Sequence, residues 1–360
     1  MNQLYYRKLI AGQVKGWIAA FLRLLLSLAA YLYLALITLR NFLYDAGILK
    51  VHRVNAAVIS IGNVTAGGTG KTPLVIWLCN LLGEKGVPCA ILTRGYKAAQ
   101  NSQLKTQSYI DEPAVIAESC PNATVIINPN RVAGAREAIE NFNAKVLIMD
   151  DGFQHRRLAR DLDIVAIDAA CPFGYERLLP AGLLREPPTA LKRAHAVVLT
   201  RCDQVADADL TKLEHQLNAI NPNMTIAASV HSPVCVKTAE GTQIKPEQLK
   251  GKNAFAFCGI ANPDAFFTTL KALGLNLVGI SPYNDHYHYN AGDIADICEA
   301  AKKLNANLVL TTQKDWTKIS SFEPGTKELL FGYLAIQLRF RDGREKLIGL
   351  IERALAATIS

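Results

Sequence analysis

Residues 57–63, the β-branched run AVISIGN, lead straight into the glycine-rich turn VTAGGTGKTP. Leu74, Trp77, Leu78, Leu81 and Leu82 then recur at helical spacing, with Gly86 as a stop. A strand, a glycine loop and a helix in this order admit few folds. Successive backbone N–H groups of Gly67, Gly68, Thr69 and Gly70 can converge on phosphate oxygens, and the helix N-terminus adds its dipole. Lys71 supplies a point charge to the β- and γ-phosphates, and Thr72 offers a hydroxyl to Mg²⁺. The nucleotide-binding loop thus spans Thr65, Ala66, Gly67, Gly68, Thr69, Gly70, Lys71 and Thr72. Thr65 stands where glycine usually opens such a loop. The phosphate donors lie downstream of it, and Gly67 and Gly68 are expected to provide the positive-φ freedom.

A nucleotide site of this kind needs an apolar strand ending in a carboxylate, and VLIMDD, residues 146–151, answers that need. In parallel sheets ligands gather at the carboxyl ends of the strands, so Asp150 and Asp151 are the candidate Mg²⁺ pair. Further strands are predicted over 87–93, 124–128, 145–149, 162–167 and 196–200, with helices over 131–142 and 208–220. Apolar strands alternating with helices indicate an α/β fold whose mainly parallel sheet is covered on both faces. A turn-rich stretch over 227–251 reads as a connector, and a second α/β run follows, closing with a helix over 344–357. The expected organisation is an N-terminal helix (1–50), a P-loop core (51–225), a connector (226–252) and a smaller second α/β lobe (253–360).

Residues 17–39, WIAAFLRLLLSLAAYLYLALITL, are apolar except for Arg23, Ser27 and Thr38. About 20 apolar residues suffice to cross a bilayer. The segment can lie in one leaflet with Arg23 snorkelling, span the membrane, or bury itself against the rest of the protein. Basic residues on both flanks give no clear orientation. The net charge of +8 favours an anionic partner, and the basic residues lack the aromatic interleaving of a nucleic-acid groove. The eight cysteines form no C-x-x-C pair and read as buried, reduced thiols rather than a zinc site or disulfide framework.

Beyond the loop, the blocks LTRGY (92–96), DEP (111–113), DDGFQH (150–155), LLPAGLLREP (178–187) and DHYHY (285–289) occur in that order. Together with GGTGKTP they resemble the tetraacyldisaccharide 4′-kinase family of lipid A biosynthesis, over about residues 58–318. The resemblance implies a kinase that transfers the γ-phosphate of ATP to the 4′-hydroxyl of a tetraacylated glucosamine disaccharide 1-phosphate. It implies work at the cytoplasmic face of a Gram-negative inner membrane, with ATP and Mg²⁺ as cofactors, the membrane surface as partner and no nucleic acid. Carried over position by position, Lys71 and Thr72 match the phosphate and magnesium residues, and Asp150 and Asp151 the metal pair. Asp111 matches the carboxylate that activates the hydroxyl, and His286 the histidine that assists it. Arg94, Arg131, Gln154, His155, Arg185 and Glu186 are candidates for holding substrate or phosphate. Two departures stand out: Ile110 where the family commonly has glycine, and Gln313 where glutamate or proline is usual.

Three other classes compete. A membrane-recruited ATPase of the partitioning type also uses a GGTGKT loop, but it typically carries lysine where this chain has Ala66. A GTPase would explain Thr200-Arg201-Cys202-Asp203 as a guanine-specificity element, with Arg201 as the weak point. A membrane scaffold with a vestigial loop would hold nucleotide and transfer nothing.

Overall fold

The structure is a computed structural model and describes residues 3–95, 112–319 and 329–359. The described residues divide into two units, one of 3–95, 116–230 and 338–359, the other of 112–115, 231–319 and 329–337.

The first unit opens with α1 (Gln3–Ile10) and the 29-residue α2 (Trp17–Asp45). Most apolar side chains of α2 are exposed: Trp17 by 80%, Tyr31 by 71% and Leu32 by 66%, while only Ala19 and Ile37 are buried. It is therefore not a core helix. Next come β1 (Ala57–Gly62), α3 (Lys71–Glu84), β2 (Cys89–Thr93), α4 (Glu112–Ser119, whose first four residues group with the second unit), β3 (Thr124–Ile127) and α5 (Arg131–Phe142). Then β4 (Val146–Asp150), β5 (Leu162–Asp168), β6 (Ala196–Thr200) and α6 (Asp207–Ile220) lead into β7 (Thr225–Thr238). The strands pair in the order β3-β2-β4-β1-β5-β6-β7, with parallel partners throughout. β1, β2, β4, β5 and β6 are buried at every position, which is why they read as continuous apolar runs rather than alternating ones. The register pairs Ile61 of β1 with Asp150 of β4. The carboxylate therefore emerges beside the point where β1 gives way to the glycine loop.

In the second unit the later half of β7 pairs antiparallel with β8 (Gln243–Ile244). β9 (Asn253–Cys258), α7 (Pro263–Ala272), β10 (Asn276–Pro282), α8 (Ala291–Lys303), β11 (Leu308–Thr312) and α9 (Gln313–Ile319) follow. β12 (Leu330–Asp342) completes a parallel set in the order β10-β9-β11-β12. Its core packs Phe257, Phe331, Ile294 and Ile297 on one face and Phe266, Phe267 and Leu270 on the other.

Residues 227–251 differ from the expected connector, since β7 alone takes up 14 residues from Thr225. The C-terminal end also differs from the expected boundary. The closing helix α10 (Arg344–Ile359) groups with the first unit, where Leu347 and Ile351 enter the same core as Leu74 and Leu78. Trp77 meets Phe340 edge-on there, with ring centroids 4.8 Å apart.

Candidate active site

The glycine loop in the first unit is shaped from both sides. Gly70 adopts φ 82° as the residue before α3 begins at Lys71, and Gly67 adopts φ 127°. The positive-φ positions are thus Gly67 and Gly70, not Gly67 and Gly68. Asn63 donates from Nδ2 to Thr69 Oγ1 at 3.1 Å, and Thr200 Oγ1 donates to the Thr69 carbonyl at 2.9 Å. Arg201 donates to the Gly68 carbonyl at 2.7 Å and is ion-paired with Asp168. Thr200 and Arg201, weighed above as a guanine-specificity element, brace the phosphate loop instead. Sequence reasoning missed the Thr200 and Arg201 bonds to the loop because they join residues more than 130 positions apart.

Thr65 has a structural reason. It forms an isolated antiparallel bridge with Leu184, flanked by Ala66 N–H to the Leu183 carbonyl at 2.6 Å and Arg185 N–H to the Val64 carbonyl at 2.7 Å. A β-branched residue suits this extended geometry better than glycine does. The LLPAGLLREP block thereby lies against the start of the loop and delivers Arg185 to it.

Asp150 ends β4, 5% exposed, with Thr93 Oγ1 3.4 Å from its Oδ2. Asp151 follows at φ 52°, an unusual conformation for a residue with a side chain. Its carboxylate takes two bonds from Arg185 Nη1, at 2.9 and 2.8 Å, and lies 3.3 Å from Lys71 Nζ. Burial works to raise the Asp151 pKa, but the Lys71 and Arg185 charges outweigh it and bring the value down to about 2. The rest of DDGFQH packs this turn. Gly152 N–H donates to the Ile61 carbonyl at 3.1 Å, Phe153 is fully buried, and Gln154 Nε2 donates to the Asn63 carbonyl at 2.9 Å. A Cβ on Gly62 would sit 2.5 Å from Phe153 Cβ, so the close approach of these segments requires glycine there.

The remaining candidates take varied positions. Arg131 opens α5 and donates to the carbonyls of Asn128 and Asp150, at 2.9 and 3.2 Å. Burial lowers its pKa to about 10. Arg94 is exposed just after β2. His155 Nε2 is buried without a hydrogen-bond partner among the described residues, and burial together with the nearby charges of Arg131, Arg160 and Arg157 holds its pKa down at about 4. Glu186 is fully buried and bound by Arg40 at 2.7 Å and Arg193 at 2.6 Å, so its carboxylate faces α2 and not the phosphate loop.

Asp111 lies outside the described residues, as do Tyr96 and Ile110. In the second unit His286 adopts φ 60° and donates its N–H to the Gly259 carbonyl at 3.1 Å. Its Nε2 is 3.4 Å from Lys314 Nζ, which also lies 3.4 Å from Asp285 and 3.3 Å from Glu112. Sequence reasoning missed Lys314, because its neighbour Gln313 stands out there only as a departure from the family pattern. Beneath it, the buried Asp315 accepts from Gly259 N–H at 3.0 Å and from Thr312 Oγ1 at 2.7 Å.

Hard oxygen donors at a strand end, beside a lysine and a helix-capping glycine loop, suit the needs of a divalent cation carried on nucleotide phosphates. Mg²⁺ takes one or two carboxylates and completes its shell with phosphate and water, and Thr72, Asp150 and Asp151 are a fitting donor set. Fold and site together define a P-loop phosphotransferase.

The family model for tetraacyldisaccharide-1-P 4′-kinase (LpxK) matches residues 22–356. The chain belongs to that family. It is 38% identical over 336 residues to a tetraacyldisaccharide 4′-kinase of Syntrophus aciditrophicus, covering 88% of this chain and 89% of that one. A Geobacter metallireducens protein of the same name is 38% identical over 312 residues, covering 82% and 89%. The crystal structure of LpxK from Aquifex aeolicus in complex with ATP superposes with a TM-score of 0.70 at 31% identity, covering 93% of this chain and 99% of that one.

Proposed function

We propose that this protein transfers the γ-phosphate of ATP to the 4′-hydroxyl of a tetraacylated glucosamine disaccharide 1-phosphate, making the bis-phosphorylated lipid A precursor. Family membership names the reaction. The observation that carries it onto this chain is the Lys71–Asp151–Arg185 cluster, seated beside a glycine loop that opens α3.

The loop N–H groups and Lys71 hold the β- and γ-phosphates, and Lys71 exchanges its contact with Asp151 for phosphate oxygen. Thr72, Asp150 and Asp151 would hold Mg²⁺, which when bound would supply positive charge next to the transferring group. Arg185 keeps Asp151 ionised and oriented, and Arg131 fixes the backbone of Asp150 through its carbonyl. Asp111 accepts the proton of the attacking hydroxyl, and His286, set beside Lys314 and Asp285, assists it. Arg94 and His155 are assigned to phosphate or substrate contacts. The exposed apolar face of α2 seats the protein on the cytoplasmic side of the inner membrane, where an acylated acceptor resides. A partitioning-type ATPase lacks a reason for the LLPAGLLREP block to deliver an arginine to the metal carboxylate.

Incubation with γ-labelled ATP and the tetraacyl disaccharide 1-phosphate should place label on the lipid. Lys71→Ala should lose both ATP binding and transfer, whereas Asp111→Ala should lose transfer and still bind ATP. Near-normal phosphorylation by Asp111→Ala would remove the base assignment, and ATP hydrolysis with no labelled lipid would point to the ATPase.

A further inference from the structure

Helix α2 does more than present an apolar face, because its other side grips the segment that carries Arg185. Tyr33 donates its hydroxyl to the Arg185 carbonyl at 2.8 Å. One turn or two further on, Arg40 and Asn41 donate to Glu186 Oε1 at 2.7 and 3.1 Å. The other oxygen of Glu186 is taken by Arg193, whose guanidinium stacks over the Phe153 ring at 4.7 Å. Arg156 continues the seam, bonding the Asn41 carbonyl at 3.1 Å and Asp45 at 2.6 Å. A fully buried carboxylate needs its partners, since removing one leaves charge stranded away from water. The Tyr33, Arg40, Asn41 and Arg193 bonds converge on the Arg185–Glu186 step, and the Arg185 side chain ends on Asp151.

We propose that Tyr33 and Arg40 of α2 are positioning residues for the nucleotide site, acting through the Arg185–Glu186 step on Asp151. The membrane-associated helix thus sets the alignment of a metal carboxylate as well as the location of the enzyme. Once Lys71 turns to the phosphates, Arg185 still holds Asp151 through its two hydrogen bonds, so slack at its backbone reaches the site directly. The inference rests on the assignment of the loop as an ATP site.

The test uses full-length protein in detergent micelles, with Mg–ATP binding read by calorimetry and kcat and KM read in the labelled-lipid assay. Tyr33→Phe should weaken ATP binding by about fivefold, the scale of one neutral hydrogen bond, and Arg40→Gln by about tenfold or more. KM for the lipid acceptor should stay within twofold of wild type. In an Arg185→Ala background, Tyr33→Phe should add nothing, because its route to Asp151 is already cut. ATP binding within twofold of wild type in both single variants would overturn the inference. So would an undiminished Tyr33→Phe effect in the Arg185→Ala background, which would mark the tyrosine as a general structural support. Wild-type protein that binds ATP without labelling the lipid would overturn the kinase reading alone, and the cycle read on ATP binding would still decide this inference.

Discussion

Two ionisable side chains within a few positions of each other respond to pH in separate windows. His155 stays neutral down to about pH 4, whereas an unperturbed histidine protonates near 6.5. Between those values the unfolded chain binds a proton that the native state refuses, so stability falls as the pH is lowered through that range. Asp151, held down to about 2 against an ordinary 3.8, contributes its full stabilisation above about pH 4 and loses it as the pH falls towards 2. Melting temperatures followed from pH 7.5 to 4.5 should therefore decline, and His155→Gln should flatten that decline. An unchanged slope in the variant would mean that His155 is not its source. At this scale the motifs were legible as residue types, since Lys71, Thr72, Asp150 and Asp151 all stand at the loop or at the end of β4. Their partners were not. Nothing local in the sequence ties Arg201 to Gly68, or Arg185 to Asp151.

Among the elements, the core strands and helices follow the sequence reading to within a residue or two at most ends, because buried parallel strands announce themselves as apolar runs. α2 is longer than the apolar run that betrays it, reaching Asp45 instead of Leu39. Its last turns carry Arg40, Asn41 and Asp45, whose polar contacts are with Glu186 and Arg156, so hydropathy could not mark the end. β7 was hidden for a different reason. Pro233 lacks a donor and interrupts the pattern, and burial along the strand changes as its partner changes from β6 to β8. The exposed apolar face of α2 gives a direct prediction. Leu28→Asp combined with Leu32→Asp should move the protein from the membrane pellet to the supernatant, since each charge opposes insertion. Sedimentation with vesicles measures it, and unchanged partitioning would place the membrane contact elsewhere.

For the molecule as a whole, α10 lies in the core of the unit that holds the nucleotide loop, although it is the last helix in the chain. Leu347 and Ile351 are fully buried there with Leu74 and Leu78 of α3. Leu347→Ala should accordingly cost about 2–5 kcal/mol, the range for emptying a buried leucine site, and should lower ATP affinity at raised temperature along with stability. Denaturant unfolding with and without ATP checks both. A cost below about 1 kcal/mol would show that the helix is dispensable to this core. Seven of the eight cysteines are buried, as their scatter through apolar runs suggested, and Cys171 is half-buried.

By itself the sequence determined the fold class, the nucleotide loop, the carboxylates beside it and the long apolar N-terminal helix. Each of these is written in residues close together along the chain, where backbone periodicity and loop geometry act. The tertiary structure alone decided why Thr65 replaces glycine, which arginine orients Asp151, that Lys314 stands beside His286, and that α10 completes the first core. Those features depend on side chains brought together from segments far apart in sequence, and a contact between distant positions leaves no periodic trace in either of them.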